Sequence, residues 1–259
     1  MIPDSERRTQ KTVQEHFGEK AGAYSGSSLL QSRDNLQAVL RIARIRPRDR
    51  VLDVATGTGI LAGALDAQAA EVVASDFTPE MILHARQALS EQKNITFVLA
   101  DADHLPFKTG AFDTVTCRMS VHHFANPLMA LGEMARVCRR GGGVVLVDVV
   151  SSEDAAKSEL HNRLGKLRDR SEVRQWRRSE LERMAGDAGL KVREAELFSH
   201  PMNFDEWIRL GNADARTAAL VREMMIASMD GDTAGLQPEF RNGGLWFTWT
   251  TAIILALKE

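Results

Sequence analysis

Nine residues, Val51-Leu52-Asp53-Val54-Ala55-Thr56-Gly57-Thr58-Gly59, constrain this chain more than any other stretch. An apolar run ends in an acid, a small Gly-rich turn follows at once, and Ile60 to Leu65 reads as the first turns of a helix. A strand, a tight turn and a helix start make a site of the nucleotide-cofactor kind. The glycines let the backbone come close to a ligand, and the helix start presents free N–H groups.

The same alternation continues downstream. Val72–Ser75, Ile95–Leu99, Phe112–Cys117 and Gly143–Val150 read as short apolar strands, with helices opening at Thr78-Pro79-Glu80 and spanning Pro127 to Val137. Buried strands separated by helices predict an α/β fold, a parallel sheet covered on both faces. Ahead of it, residues 1–20 have helical character and Ala21 to Ser28 is small and flexible in composition. Leu29 to Ile45 is amphipathic, with Pro47 as its stop. Residues 1–45 are thus expected to form a helical arm or lid, and 46–259 the main domain. Cap insertions are expected at about 151–177 and 200–243, helical in the first and mostly helical in the second. Leu190–Phe198 and Leu245–Leu257 read as late strands.

Composition narrows the function classes. With 259 residues, 44% hydrophobic, 26% charged and a formal net charge of −2, the chain carries no bulk attraction for nucleic acid or anionic membrane. Its longest apolar stretch, Thr251 to Leu257, is too short for membrane insertion. The polar N-terminus does not read as a signal peptide, and the two cysteines, Cys117 and Cys138, have no metal-binding spacing. A cytoplasmic setting is the expectation.

The cofactor is decided by acids. Gly57-Thr58-Gly59-Ile60-Leu61-Ala62 satisfies a loose G-x-G-x-x-A dinucleotide pattern. However, Asp53 stands at the strand's end, four residues before the first glycine. A carboxylate there would repel a pyrophosphate and would suit a cation. Asp76 ends the next strand, 23 residues on, at the spacing where a carboxylate meets ribose hydroxyls. Asp101-Ala102-Asp103 follows the third strand. Phe112–Cys117 runs into Arg118-Met119-Ser120-Val121-His122-His123, and Arg139-Arg140-Gly141-Gly142-Gly143 leads into the next strand.

Taken in order, these five motifs resemble the class I S-adenosylmethionine-dependent methyltransferases, most nearly the small-molecule branch that includes the quinone-biosynthesis C-methyltransferases. The resemblance is strong over residues 50–150 and looser elsewhere. It implies a Rossmann-like, doubly wound, seven-stranded and mostly parallel sheet with an antiparallel C-terminal strand, and S-adenosyl-L-methionine as cofactor. It further implies that Gly57, Thr58 and Gly59 let the backbone pass under the cofactor's methionine part, that Ala55 and Thr56 also belong to the cofactor site, and that Asp53 orients the ammonium, directly or through the loop or water. Asp76 would take the ribose hydroxyls, Phe77 and Met81 would flank the adenine, and Asp101 with Ala102 would meet the adenine edge. Arg118 and Met119 would line the methionine and sulfonium, and Tyr24 would reach the cofactor from the arm. Ala55 departs from the family, where many members carry glycine.

Structural alternatives stand beside these roles. Asp53 could cap the following helix, and Asp76 could be a turn residue before Pro79. His122 and His123 lie where a general base would act, or else serve packing; of the two, His123 is the preferred base. The basic stretch 163–178 reads as a solvated helix face, because Asp169 and Glu172 are interspersed. The acceptor implied is a small molecule. The rivals are a protein that binds the cofactor without methyl transfer and a nicotinamide-dependent oxidoreductase. Nucleic acid is not expected as a substrate, since no Pro-Pro pair and no basic domain are present.

Overall fold

Val51, Leu52, Asp53 and Val54 are all buried, so both faces of their strand are covered, as befits an interior strand of a parallel sheet. In the computed structural model, which describes residues 4–25 and 32–259, this strand is β1 (Arg50–Val54). Parallel neighbours extend it on both sides: β2 (Glu71–Asp76), β3 (Ile95–Leu99), β4 (Phe112–Arg118) and β5 (Cys138–Val149). Two long strands complete the sheet, β6 (Leu190–Asn203) and β8 (Gly244–Lys258), with the short β7 (Glu239–Arg241) paired to β8. The order is β3-β2-β1-β4-β5-β8-β6, and β8 runs antiparallel to both of its long neighbours.

The sheet divides two apolar layers. One face packs Leu52, Val115, Leu146 and Ile254 against α5 (Pro127–Val137) and α7 (Arg178–Asp187). The other packs Val51, Val72, Val145 and Ile253 against α2 (Arg33–Ala43) and α3 (Ile60–Asp66). Between β2 and β3 runs α4 (Pro79–Ala88), with Pro79 in its first turn. Thr78 holds the N-cap position but makes no side-chain cap; its N–H instead donates to Asp76 Oδ1 at 2.9 Å.

A third cluster, around Leu164, Trp207, Val221, Met225, Phe247 and Trp249, joins the upper parts of β6 and β8 to α6 (Ala155–Arg168), α8 (Phe204–Leu210) and α9 (Ala215–Ala227). Helix occupies less of residues 151–177 than the sequence suggests. It stops at Arg168, whose successor Asp169 is extended, and 169–177 has no regular helix. Strand β6 likewise runs five residues past Phe198, because β8 supplies a partner for every one of them through Asn203.

The leading helix α1 (Asp4–Ser25) includes residues 21–25, which the composition had suggested as a flexible turn. The Gly/Ser-rich residues beyond Ser25 lie outside the described residues. Helix α2 begins at Ser32, whose side chain accepts from Asn35 N–H. It ends at Arg44, in the left-handed region at φ 52°, before Pro47 is reached. No helix among the described residues is long and apolar enough to cross a membrane.

Candidate active site

The strand order reverses between β1 and β4. In a doubly wound sheet the helices leave in opposite directions at that point and open a crevice at the carboxyl ends of the strands. A cavity lies there. Asp53, Ala55, Thr56, Gly57, Thr58, Asp76, Phe77, Met81, Asp101, Ala102, Arg118 and Met119 line it, as do His122 and His123. Gly59 is absent from the wall. It begins α3 at φ 84°, and a Cβ there would fall 2.7 Å from Leu89 Cδ1 and 3.2 Å from Ala85 Cβ. Its smallness lets α3 seat against α4. Tyr24 is in the last turn of α1, and its side chain lies outside what the structure describes.

Asp53 is fixed by its strand neighbours. Thr116, its register partner on β4, donates to Oδ1 at 2.7 Å, and Thr56 donates to Oδ2 at 2.7 Å. Burial raises the Asp53 carboxyl to about 6, against the two hydroxyl bonds and Arg118, which act to lower it. Such a carboxylate gains from a cationic ligand. Arg118 is half-buried, and desolvation lowers its guanidinium to about 10 while Asp53 holds it up. Asn35 of α2 accepts from Arg118 Nε and Nη2 at 3.3 Å, and donates in turn to Thr251 at 3.3 Å. A buried acid and a half-buried guanidinium on one cavity wall complement the zwitterionic end of an amino acid.

Asp76 ties the loop to the second strand: Oδ2 accepts from Gly57 N–H at 2.9 Å. Burial raises this carboxyl, although the N–H groups of Thr78 and Gly57 pull it down. Gly57 itself sits at φ 57°, and a Cβ there would meet nothing within 4 Å, so the backbone is open to close approach. Two non-glycine residues of the wall share this left-handed conformation, Ala55 at φ 53° and Met119 at φ 56°. The glycine common in the family at the position of Ala55 therefore has a backbone reason, and alanine accepts the strain. Ser120 Oγ bridges the two loops, donating to the carbonyls of Ala55 and Arg118 at 3.3 and 3.0 Å.

Asp101 accepts from Asp103 N–H at 3.0 Å and from Gln10 Nε2 at 3.0 Å. Gln10 is on α1, and Gln14 of the same helix donates to the Phe77 carbonyl at 3.1 Å. With Val13 and Phe17, Gln10 brings α1 into the cavity wall. The remaining wall includes Phe124, Arg168, Leu210 and Trp249.

The two histidines are distinct. The ring of His122 faces Asp148 Oδ1 through Nδ1 at 2.5 Å, and the His122 backbone N–H donates to Asp148 Oδ2 at 2.9 Å. Burial works against its protonation, but Asp148 and Glu172 prevail and raise its pKa. Burial and the neighbouring His122 push His123 well below the usual histidine value. His123 Nδ1 lies 3.0 Å from the Ser171 carbonyl. A carbonyl accepts only, so Nδ1 carries the proton and Nε2 of this neutral ring carries the lone pair.

The stretch expected to be a solvated basic face is in part the opposite. Arg168, Asp169 and Glu172 are all buried. Arg168 Nη2 lies 3.2 Å from Asp169 and 3.5 Å from Glu172, and its guanidinium stacks 5.1 Å from the Trp207 ring. The end of α6 turns the chain inward here. Together with Gln10, Asn35 and Asp148, these residues were not singled out for the site from sequence. Each arrives by a contact distant along the chain, and no local pattern marks it.

The fold and this site define a nucleoside-cofactor enzyme of the doubly wound class. The family profile described as "Methyltransferase domain" matches residues 52–146. The chain is 32% identical over 201 residues to the "uncharacterized methyltransferase YcgJ" of Bacillus subtilis, covering 77% of this chain and 79% of that one. The crystal structure of the YcgJ protein from that organism superposes with a TM-score of 0.81 at 29% identity, over 86% of this chain and 97% of the other. A demethylmenaquinone methyltransferase of Clavibacter sepedonicus is 36% identical over 136 residues, 51% of this chain and 56% of that protein. The chain thus spans about half the length of this quinone-pathway relative. It belongs to the methyltransferase family, and it is an S-adenosylmethionine-dependent methyltransferase.

Proposed function

We propose that this chain seats S-adenosyl-L-methionine in the β1–β4 crevice and methylates an apolar small molecule held between α1, the end of α6, α8 and β8. One observation carries the reading. Carboxylates at or just past the ends of three parallel strands, Asp53, Asp76 and Asp101, converge with Arg118 on one cavity. Asp53 takes the ammonium and Arg118 the carboxylate of the methionine end. Asp76 takes the ribose hydroxyls, Phe77 and Met81 pack beside the adenine, and Asp101 with the Ala102 backbone meets its edge. When bound, the cofactor supplies an electrophilic methyl whose departure leaves a neutral thioether.

What remains for the protein is proximity, orientation and exclusion of water. Phe17, Met119, Leu210 and Trp249 suit an acceptor with an apolar, ring-bearing body. His123, neutral and with its Nε2 lone pair available, takes the proton that an acceptor hydroxyl or activated carbon must lose. Reduced quinones, which the names of the quinone-pathway relatives bring to mind, are one such acceptor class. The test is calorimetric titration with S-adenosylhomocysteine and with NADH, followed by turnover on a panel that includes hydroquinones. Binding of S-adenosylhomocysteine without NADH, and acceptor-dependent turnover, are expected. Tight NADH binding with no S-adenosylhomocysteine binding would overturn the proposal.

A further inference from the structure

We propose that Asp169 is a positioning residue for His123, and that His16 completes the arrangement when α1 is docked over the cavity. This rests on His123 acting as the base. The two oxygens of Asp169 serve two different elements. Oδ1 accepts from Ser171 N–H at 2.9 Å and from Ser171 Oγ at 2.6 Å. That fixes the turn whose carbonyl accepts His123 Nδ1–H, with Ser171 Oγ a further 3.3 Å from the same nitrogen. Oδ2 faces Arg168 Nη2 at 3.2 Å and His16 Nε2 at 3.3 Å. His16 and Asp169 are both buried.

His16 belongs to α1, so the leading helix reaches the base by two routes. Phe17 stands edge-on to the His123 ring, centroids 4.8 Å apart, and His16 reaches it through Asp169 and Ser171. Further side-chain bonds from this helix reach the body at Asp101, the Phe77 carbonyl and the Arg209 carbonyl at the end of α8, and Asp101 and Phe77 line the cavity. The docking of α1 is thereby felt at His123. Charged and titratable groups face the cluster from each packed element: Glu19 and Lys20 on α1, Arg168 and Glu172 around the end of α6, His122 after β4, and Asp148 on β5. Burial lowers His16, so its contact with Asp169 is made by a neutral ring donating Nε2–H.

The experiment reads the tautomer of His123 from imidazole 15N shifts in the full chain, with and without S-adenosylhomocysteine. The signal is identified by its loss in His123→Asn. The parent is expected to show the Nδ1–H form. His16→Ala and Asp169→Ala should raise the other tautomer about fivefold, the effect of losing roughly one neutral hydrogen bond, and His16→Gln, which keeps an N–H donor, should restore the parent state. Ser171→Ala deletes only the hydroxyl link and should move the signal the same way, which keeps the test open should Asp169→Ala fail to fold. An unchanged His123 in folded His16→Ala and Ser171→Ala overturns the proposal. Failure of the parent to bind S-adenosylhomocysteine would instead count against the functional reading, because the tautomer is also read in the ligand-free protein.

Discussion

Replacing Asp53 by asparagine should stabilise the ligand-free protein while weakening its cofactor site. The carboxyl sits at about 6 against an ordinary value of 3.8, a difference worth about 3 kcal/mol. Because the folded value is the higher one, ionisation costs the folded state more than the unfolded state. That cost is fully present above about 6, shrinks as pH falls through 6, and is gone below about 3.8. The attraction of Arg118 is already contained in the raised value, so it need not be subtracted again. Asparagine keeps the shape and one acceptor, and the Thr56 or Thr116 hydroxyl turns to accept from the new amide. Allowing about 1 kcal/mol for that rearrangement, Asp53→Asn should gain roughly 1–3 kcal/mol at pH 7.5 in urea denaturation, and nearly nothing at pH 4.5. The same variant should bind S-adenosylhomocysteine about 10- to 150-fold more weakly, the worth of one charge-assisted hydrogen bond. A variant less stable than its parent at pH 7.5, or a difference that does not change with pH, would refute the reasoning.

Three further outcomes are expected. Ala55→Gly relieves a left-handed alanine at φ 53° and should raise unfolding free energy by about 1 kcal/mol, so a loss of stability would count against the strain. Gly59→Ala adds left-handed strain and a Cβ 2.7 Å from Leu89 Cδ1, and should cost roughly 2–4 kcal/mol in denaturant melts. Asp148→Asn should lower the pKa of His122, read from imidazole titration by NMR. Since the folded value of His122 is raised, the stability it contributes is full at low pH and is lost as pH rises through that value. The parent's advantage over Asp148→Asn should therefore be larger at pH 5.5 than at pH 8.5.

The half of the cavity proposed to hold the cofactor was legible because each of its pieces is local. Asp53, Asp76 and Asp101 stand at or just past the ends of β1, β2 and β3, and strand ends can be read from the short apolar runs within them. The parallel order then brings the three acids together without further information. The half proposed for the acceptor has no such marker. Arg168, Asp169 and Glu172 read as solvated charges, and only the inward turn after α6 and the stacking on Trp207 bury them. His16 and Asn35 look like ordinary polar positions of amphipathic helices until α1 and α2 are laid against the body, where they meet Asp169 and Arg118. Periodicity reports which face a helix buries, not which distant charge waits there.

Several positions of the cavity wall break local rules. Ala55 and Met119 hold a backbone conformation that disfavours side chains, and Asp53 is an acid buried without a full countercharge. Each alone costs on the order of 1–3 kcal/mol. They are held in place by strands whose neighbours are buried on both faces, by Thr116 and Thr56 on the carboxylate, and by Ser120 tying the two strained loops together. The buried core on both faces of the sheet holds an ionised, strained wall in place. The gain expected for Asp53→Asn and for Ala55→Gly has this common origin: both return to the fold a free energy that the wall holds, in the proposed reading, for a cationic, closely approached cofactor.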